Sequence, residues 1–174
     1  MKLAYPVGTP EVRGKILGYT GPIERVCAEL RELGYAGIEP FVCNPEAFDA
    51  EGWSDAVKRS GLAVAAVGTG PVVLDDRLTF TDADETVRRA AVARAKLIVR
   101  FAARFGAQVN IGKLRGDLPP GAEARARQTY RLGAGTRGGD FSECRLAGRN
   151  AARPGAGTRY ASSRSRPMVE RNAG

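Results

Sequence analysis

Apolar and polar positions along the first two thirds of the chain alternate between a strand period and a helix period. Lys2 to Val7 is a short apolar strand closed by Pro6 and the Gly8-Thr9-Pro10 turn. After a polar, glycine-bearing loop, Gly21-Pro22 opens a helix with proline at its first position. Ile23, Val26, Cys27, Leu30 and Leu33 follow at helical spacing, and Gly34 is expected to end that helix as a left-handed cap. Gly37 to Val42 predicts the second strand, and Trp53 to Ser60, before Gly61, a second helix. Leu62 to Val67 is an unbroken apolar run, as expected of a strand buried on both faces of a parallel sheet. Gly68-Thr69-Gly70-Pro71 ends it, and a loop is expected to run to Thr81. Asp82 with Glu85 resembles a capping box. The long helix after it carries Val87, Ala91, Ala95, Ile98, Ala102 and Phe105 on one stripe, is capped by Gly106, and leads to a fourth strand, Gln108 to Ile111. Strand and helix in strict alternation imply an α/β fold with parallel strands.

The pattern stops soon after. One more helix is expected over Ala122–Tyr130, but beyond it neither period is present. Residues 119–174 hold nine Gly and only Leu132, Phe141, Leu146, Met168 and Val169 as large aliphatic or Phe side chains, which predicts a disordered tail. Charge divides at the same place. Residues 1–118 carry 16 Lys and Arg against 15 acids, a net of +1, whereas residues 119–174 carry 11 Arg, no Lys and 4 acids, so +7 of the formal +8 belongs to the tail. Such an Arg-, Gly- and Ala-rich, Lys- and Ile-free segment is what a GC-rich gene yields in the wrong frame. A frameshift near residues 118–135 is therefore expected, dividing the chain into an ordered region over 1–130 and an Arg/Gly-rich tail over 131–174.

At 174 residues the chain is short for a closed eight-fold barrel, which takes roughly 200 or more. No window approaches the ~18 consecutive apolar residues of a membrane span, and the N-terminus lacks a signal-peptide apolar region, so a cytoplasmic protein without membrane partners is expected. Cys27, Cys43 and Cys144 are widely spaced and suggest neither a disulfide framework nor a zinc ribbon. The chain has no histidine, which removes the commonest general base and transition-metal ligand.

Gly34-Tyr35-x-Gly37-Ile38-Glu39, the long helix ending in Phe105-Gly106-Ala107, and Ile111-Gly112-Lys113-Leu114-Arg115-Gly116 together resemble the sugar isomerase/epimerase family. These are the xylose-isomerase-like TIM barrels, including hydroxypyruvate isomerases, ketose 3-epimerases and, more distantly, the family-two apurinic endonucleases. The resemblance covers residues 1 to about 130 and implies the N-terminal half of a (β/α)8 barrel, about four βα units, followed by the basic tail. It also implies a divalent metal (Mn, Mg or Co) and proton transfer between adjacent carbons of a sugar or hydroxy-ketone through an enediolate. In the family the metal is held by two Glu, an Asp and a His from the fifth to eighth strands. This chain has no Leu-Glu-Pro type segment with a following His, so it is expected to be an incomplete and inactive version.

Active sites of such barrels lie at the C-terminal strand ends, which points to Glu39, Thr69, Lys113 and Arg115 as substrate-binding candidates. Glu39 is placed to bind a sugar hydroxyl, its competing role being a cap or ion pair. Lys113 and Arg115 suit a phosphate or carboxylate, or else form a solvated loop pair. Gly68-Thr69-Gly70 reads better as a tight strand exit than as a phosphate turn. Asp75-Asp76 reads as a solvated pair, Cys43 as buried filler, and Trp53 as packing or as a cover for the barrel mouth. No catalytic residue is assigned. The alternative function is nonspecific nucleic-acid binding through the tail arginines, for which only Tyr130, Phe141 and Tyr160 offer stacking. A half barrel would also expose its first and fourth strands, so self-association through sheet edges is expected.

Overall fold

The computed structural model describes residues 2–117 together with 120, 121, 123 and 124. The helix expected over Ala122–Tyr130 (apart from Glu123 and Ala124) and the tail 131–174 lie outside the described residues. The predicted alternation is present. Strands β1 (Ala4–Gly8), β2 (Gly37–Phe41), β3 (Ala63–Val64), β4 (Ala66–Gly68) and β5 (Gln108–Asn110) are interleaved with helices α1 (Ile23–Glu32), α2 (Ala50–Ser60), α3 (Gly70–Asp76) and α4 (Glu85–Ala103). All pairings are parallel, in the order β1-β2-β4-β5, with β3 on β2.

The third unit departs from expectation twice. The run Leu62–Val67 is not one regular strand buried on both faces: Ala63 and Ala65 are exposed. Between the pairs Ile38↔Val64 and Phe41↔Gly68 this strand holds one extra residue, a bulge at Ala65-Ala66. The bulge lets both Val64 and Val67 face the helices. The expected loop to Thr81 also contains a helix, α3. Thr69 is its N-cap residue and Pro71 falls in its first turn, where an amide hydrogen has no helical acceptor. Pro22, by contrast, stands just outside α1 at its N-cap.

Side chains on one sheet face make the core. Val7, Ile38, Val67 and Val109 are fully buried beneath Val26 and Leu30 of α1, Val57 of α2, and Ile98 and Ala102 of α4. Trp53 is only 5% exposed and packs with Phe48, Phe101 and Phe105, at ring-centroid distances of 5.8 Å to Phe101 and 6.4 Å to Phe105. It belongs to this helix layer, so packing and not cover of a barrel mouth is its role. The opposite face, carrying Glu39, Phe41, Ala66, Gly68, Gln108 and Asn110 by strand alternation, is the more open one. Among the described residues no helix is long and apolar enough to cross a membrane.

Candidate functional site

The C-terminal strand ends form two polar assemblies. The first joins the loop after β1 to β2, α3 and α4. Glu11 reaches across the strand ends, its Oε1 accepting from the Cys43 and Asn44 amides at 2.9 and 3.0 Å, while its buried Oε2 has no partner among the described residues. Asp75 accepts from the Arg13 and Gly14 amides at 2.9 and 2.7 Å. Asp76 is gripped from two sides, by Arg94 Nη1 at 2.6 Å and Arg13 Nη2 at 2.8 Å. The Cys43 thiol also donates to Asp76 Oδ2 at 3.5 Å, and Arg94 donates to the Cys43 carbonyl at 3.0 Å.

This network corrects the reading of Asp75-Asp76 as a solvated pair, because both carboxylates tie the β1–α1 loop to α3. Burial acting alone would raise the Asp76 pKa. Hydrogen bonds from Arg94 and Cys43, with the charges of Arg94 and Arg13, outweigh it and hold the carboxyl below its ordinary value. Burial first, then the Asp76 charge, pushes the Cys43 thiol up to about 12, so this buried sulfur is not a nucleophile near neutral pH.

The second assembly follows β5. The loop Gly112–Arg115 is a 3₁₀ turn with Leu114 fully buried beneath it. The Phe80 amide donates to the Leu114 carbonyl at 3.0 Å, which joins the α3–α4 loop to this turn. Between them lies an open groove of about 590 Å³ lined by Val73, Thr79, Thr81, Gly112, Lys113, Arg115, Gly116 and Asp117. Lys113 and Arg115 are exposed and enter no ion pair among the described residues.

The four expected substrate-binding residues are not equivalent. Lys113 and Arg115 share the groove. Thr69 is 1% exposed and its hydroxyl donates to the carbonyls of Asn110 at 3.0 Å and Ile111 at 2.6 Å, so it holds the ends of β4 and β5 together. Glu39 lies at the middle of β2, on the open face with Phe41, and has no hydrogen-bond or ion-pair partner among the described residues. The Phe41 ring occupies the space where a side chain on Gly68 would stand. Glu11, Arg94, Thr79 and Thr81 were not singled out from the sequence. The strand-end rule, applied to the second, third and fourth strands, would have reached Glu11 if applied to the first.

A divalent metal does not fit these residues. Among the described residues no three of His, Cys, Asp and Glu gather to hold one, and both Asp76 oxygens are engaged by arginines.

No family model matches the chain, and no curated protein matches it in sequence. Solved structures do match its fold. One is the apo form of the 3-keto-D-glucoside 4-epimerase YcjR from E. coli, 15% identical, with a TM-score of 0.53 over 76% of this chain and 50% of that one. The chain thus spans half the length of that structure. The likeness is one of fold: α/β, with the parallel sheet of a partial TIM barrel.

Proposed function

We propose that this chain provides the substrate-recognising strands of a sugar isomerase/epimerase-like barrel, binding a small sugar or hydroxy-ketone, and that alone it does not perform the metal-assisted proton transfer. The observation that carries this reading is the groove at the end of β5, where Lys113 and Arg115 stand without ion-pair partners among the described residues. The likeness of the fold to a sugar epimerase supports it. In this reading Glu39 accepts a hydrogen bond from a substrate hydroxyl, Lys113 and Arg115 bind its anionic or carbonyl oxygens, and Thr69 positions the turn that carries them. The lack of turnover follows, in this reading, from a chain without histidine in which the strand-end carboxylate of Asp76 is already committed to two arginines.

Titration of the purified chain with a panel of ketoses and hydroxy-ketones, followed by calorimetry, tests recognition. Saturable binding to at least one is expected, and no binding to any overturns it. The same panel incubated with Mn²⁺, Mg²⁺ or Co²⁺ tests activity, and epimerisation by this chain alone removes the claim of inactivity. The basic segment 119–174, with 11 Arg against 4 acids, favours nucleic acid as the competing ligand. That reading requires retention on DNA that falls steeply as salt rises. The nucleotide sequence around codons 115–140 tests the proposed change of frame.

A further inference from the structure

We propose that the groove between the α3–α4 loop and the 3₁₀ turn is a subsite for a phosphate monoester, which makes the substrate a phosphorylated ketose or hydroxy-ketone. The inference rests on the sugar-recognition reading above and names its substrate class. Two tripeptides of the same design build the groove. In Thr79-Phe80-Thr81 and Lys113-Leu114-Arg115 the central residue is buried, Phe80 at 5% exposure and Leu114 at 0%, and the two centres are joined by the Phe80 amide and Leu114 carbonyl. The polar residues on either side of each centre all line the groove. One backbone hydrogen bond therefore brings two hydroxyls and two cations to one place.

The donors are uncommitted and numerous. No hydrogen bond to the side chain of Thr79, Thr81, Lys113 or Arg115 occurs among the described residues. An ammonium, a guanidinium fork and two hydroxyls suit the three terminal oxygens of a phosphate monoester better than the two of a carboxylate. Gly116 closes the floor: at φ +78° its backbone lies against Thr79 and Thr81, and a Cβ there would collide with Thr81 Oγ1. A groove of about 590 Å³ has room for more than the phosphate alone, and Asp117 at its rim is placed to accept from a hydroxyl of the same molecule. Both cations are exposed, so salt screens their attraction and binding weakens as ionic strength rises.

Calorimetry at low ionic strength tests this with four probes: a ketose, its phosphate monoester, a sugar acid of equal length, and inorganic phosphate. The variants are Lys113→Gln, Arg115→Gln, their combination, and Arg59→Gln on α2 as a control, each checked for its fold by circular dichroism. The monoester is expected to bind about tenfold tighter than the ketose, with each groove variant removing much of that gain and Arg59→Gln none. Thr81→Val, which keeps side-chain shape, is expected to weaken the monoester alone. Equal affinity for ketose and monoester overturns the proposal, as does preference for the sugar acid or equal damage from Arg59→Gln. Inorganic phosphate bound through Lys113 and Arg115 without any ketose binding supports the subsite and removes the sugar reading. Ketose binding indifferent to phosphate does the reverse.

Discussion

Asp76 is where four separate segments of the chain meet, through Arg13 after β1, Cys43 after β2, its own position on α3, and Arg94 on α4. Arg94 is the partner that matters most, since its side chain is 17% exposed and loses its counter-charge if Asp76 is neutralised. Asp76→Asn is expected to destabilise the protein by roughly 1–3 kcal/mol near neutral pH, read from urea midpoints. The pH dependence has a definite sign. The folded pKa of Asp76 is lowered, so its contribution is complete above the ordinary carboxylate value of about 3.9 and is lost as pH falls below it. Wild type and Asp76→Asn should therefore converge in midpoint below about pH 4; a constant difference down to pH 2–3 would show that the lost term is steric. These contacts were not legible in the sequence because Arg13 and Asp76 are 63 positions apart. Two adjacent acids between Leu74 and Arg77 carry no local sign of what will fold against them.

Secondary elements were more legible than their junctions, because each element's period is local. Gly34, Gly61 and Gly106, expected to end three helices, all have positive φ at those ends. The starts were less exact. α4 is capped by Asp84, which accepts from the Thr86 amide at 2.8 Å, and not by the Asp82–Glu85 box. α2 begins three residues before Trp53 because Asp49 caps it. Both are choices among neighbouring acids, made by which one the chain presents to the first turn. α3 was concealed by Gly70-Pro71, which reads as a break although proline is compatible with a first turn. Its far end is marked by Arg77, at φ 54° the one non-glycine residue with positive φ among the described residues. The Arg77 side chain is exposed and has no described partner, so nothing offsets the left-handed strain. Arg77→Gly should raise stability by a net of about 0.5–1 kcal/mol, the relieved strain of roughly 1–2 kcal/mol less the roughly 0.4–1 kcal/mol of unfolded-state entropy that glycine adds. The check is a higher urea midpoint at unchanged slope; a lower one would assign the Arg77 side chain a contact that matters.

For the molecule as a whole, the sheet has two ends, and they are not alike. The sequence suggested that both outer strands would be open to pairing. β1 is protected: Pro6 has no amide hydrogen, its carbonyl accepts from the Tyr19 amide at 2.9 Å, and the Gly8 amide donates to the Tyr19 carbonyl at 2.8 Å. Tyr19 is fixed in turn by α1, its hydroxyl donating to Glu29 at 2.6 Å. Thus a residue from the β1–α1 loop serves as a short extra strand, which no alternation in that loop foretold. β5 has no such guard among the described residues. It pairs with β4 on one side, and Gln108 and Asn110 present exposed, uncharged side chains. If copies of this chain associate through sheet edges, β5 and not β1 is the strand that pairs. Replacing Gln108 and Asn110 together by lysine places two like charges where a second β5 would lie, each opposed by its symmetry mate. Sedimentation velocity across a concentration series should show association in the wild type that this variant abolishes, while Pro6→Val leaves it unchanged. A monomeric wild type removes edge pairing altogether. Association lost only on disturbing Tyr19 would place it at β1 after all, and the guard at that edge would then be one that a second copy displaces.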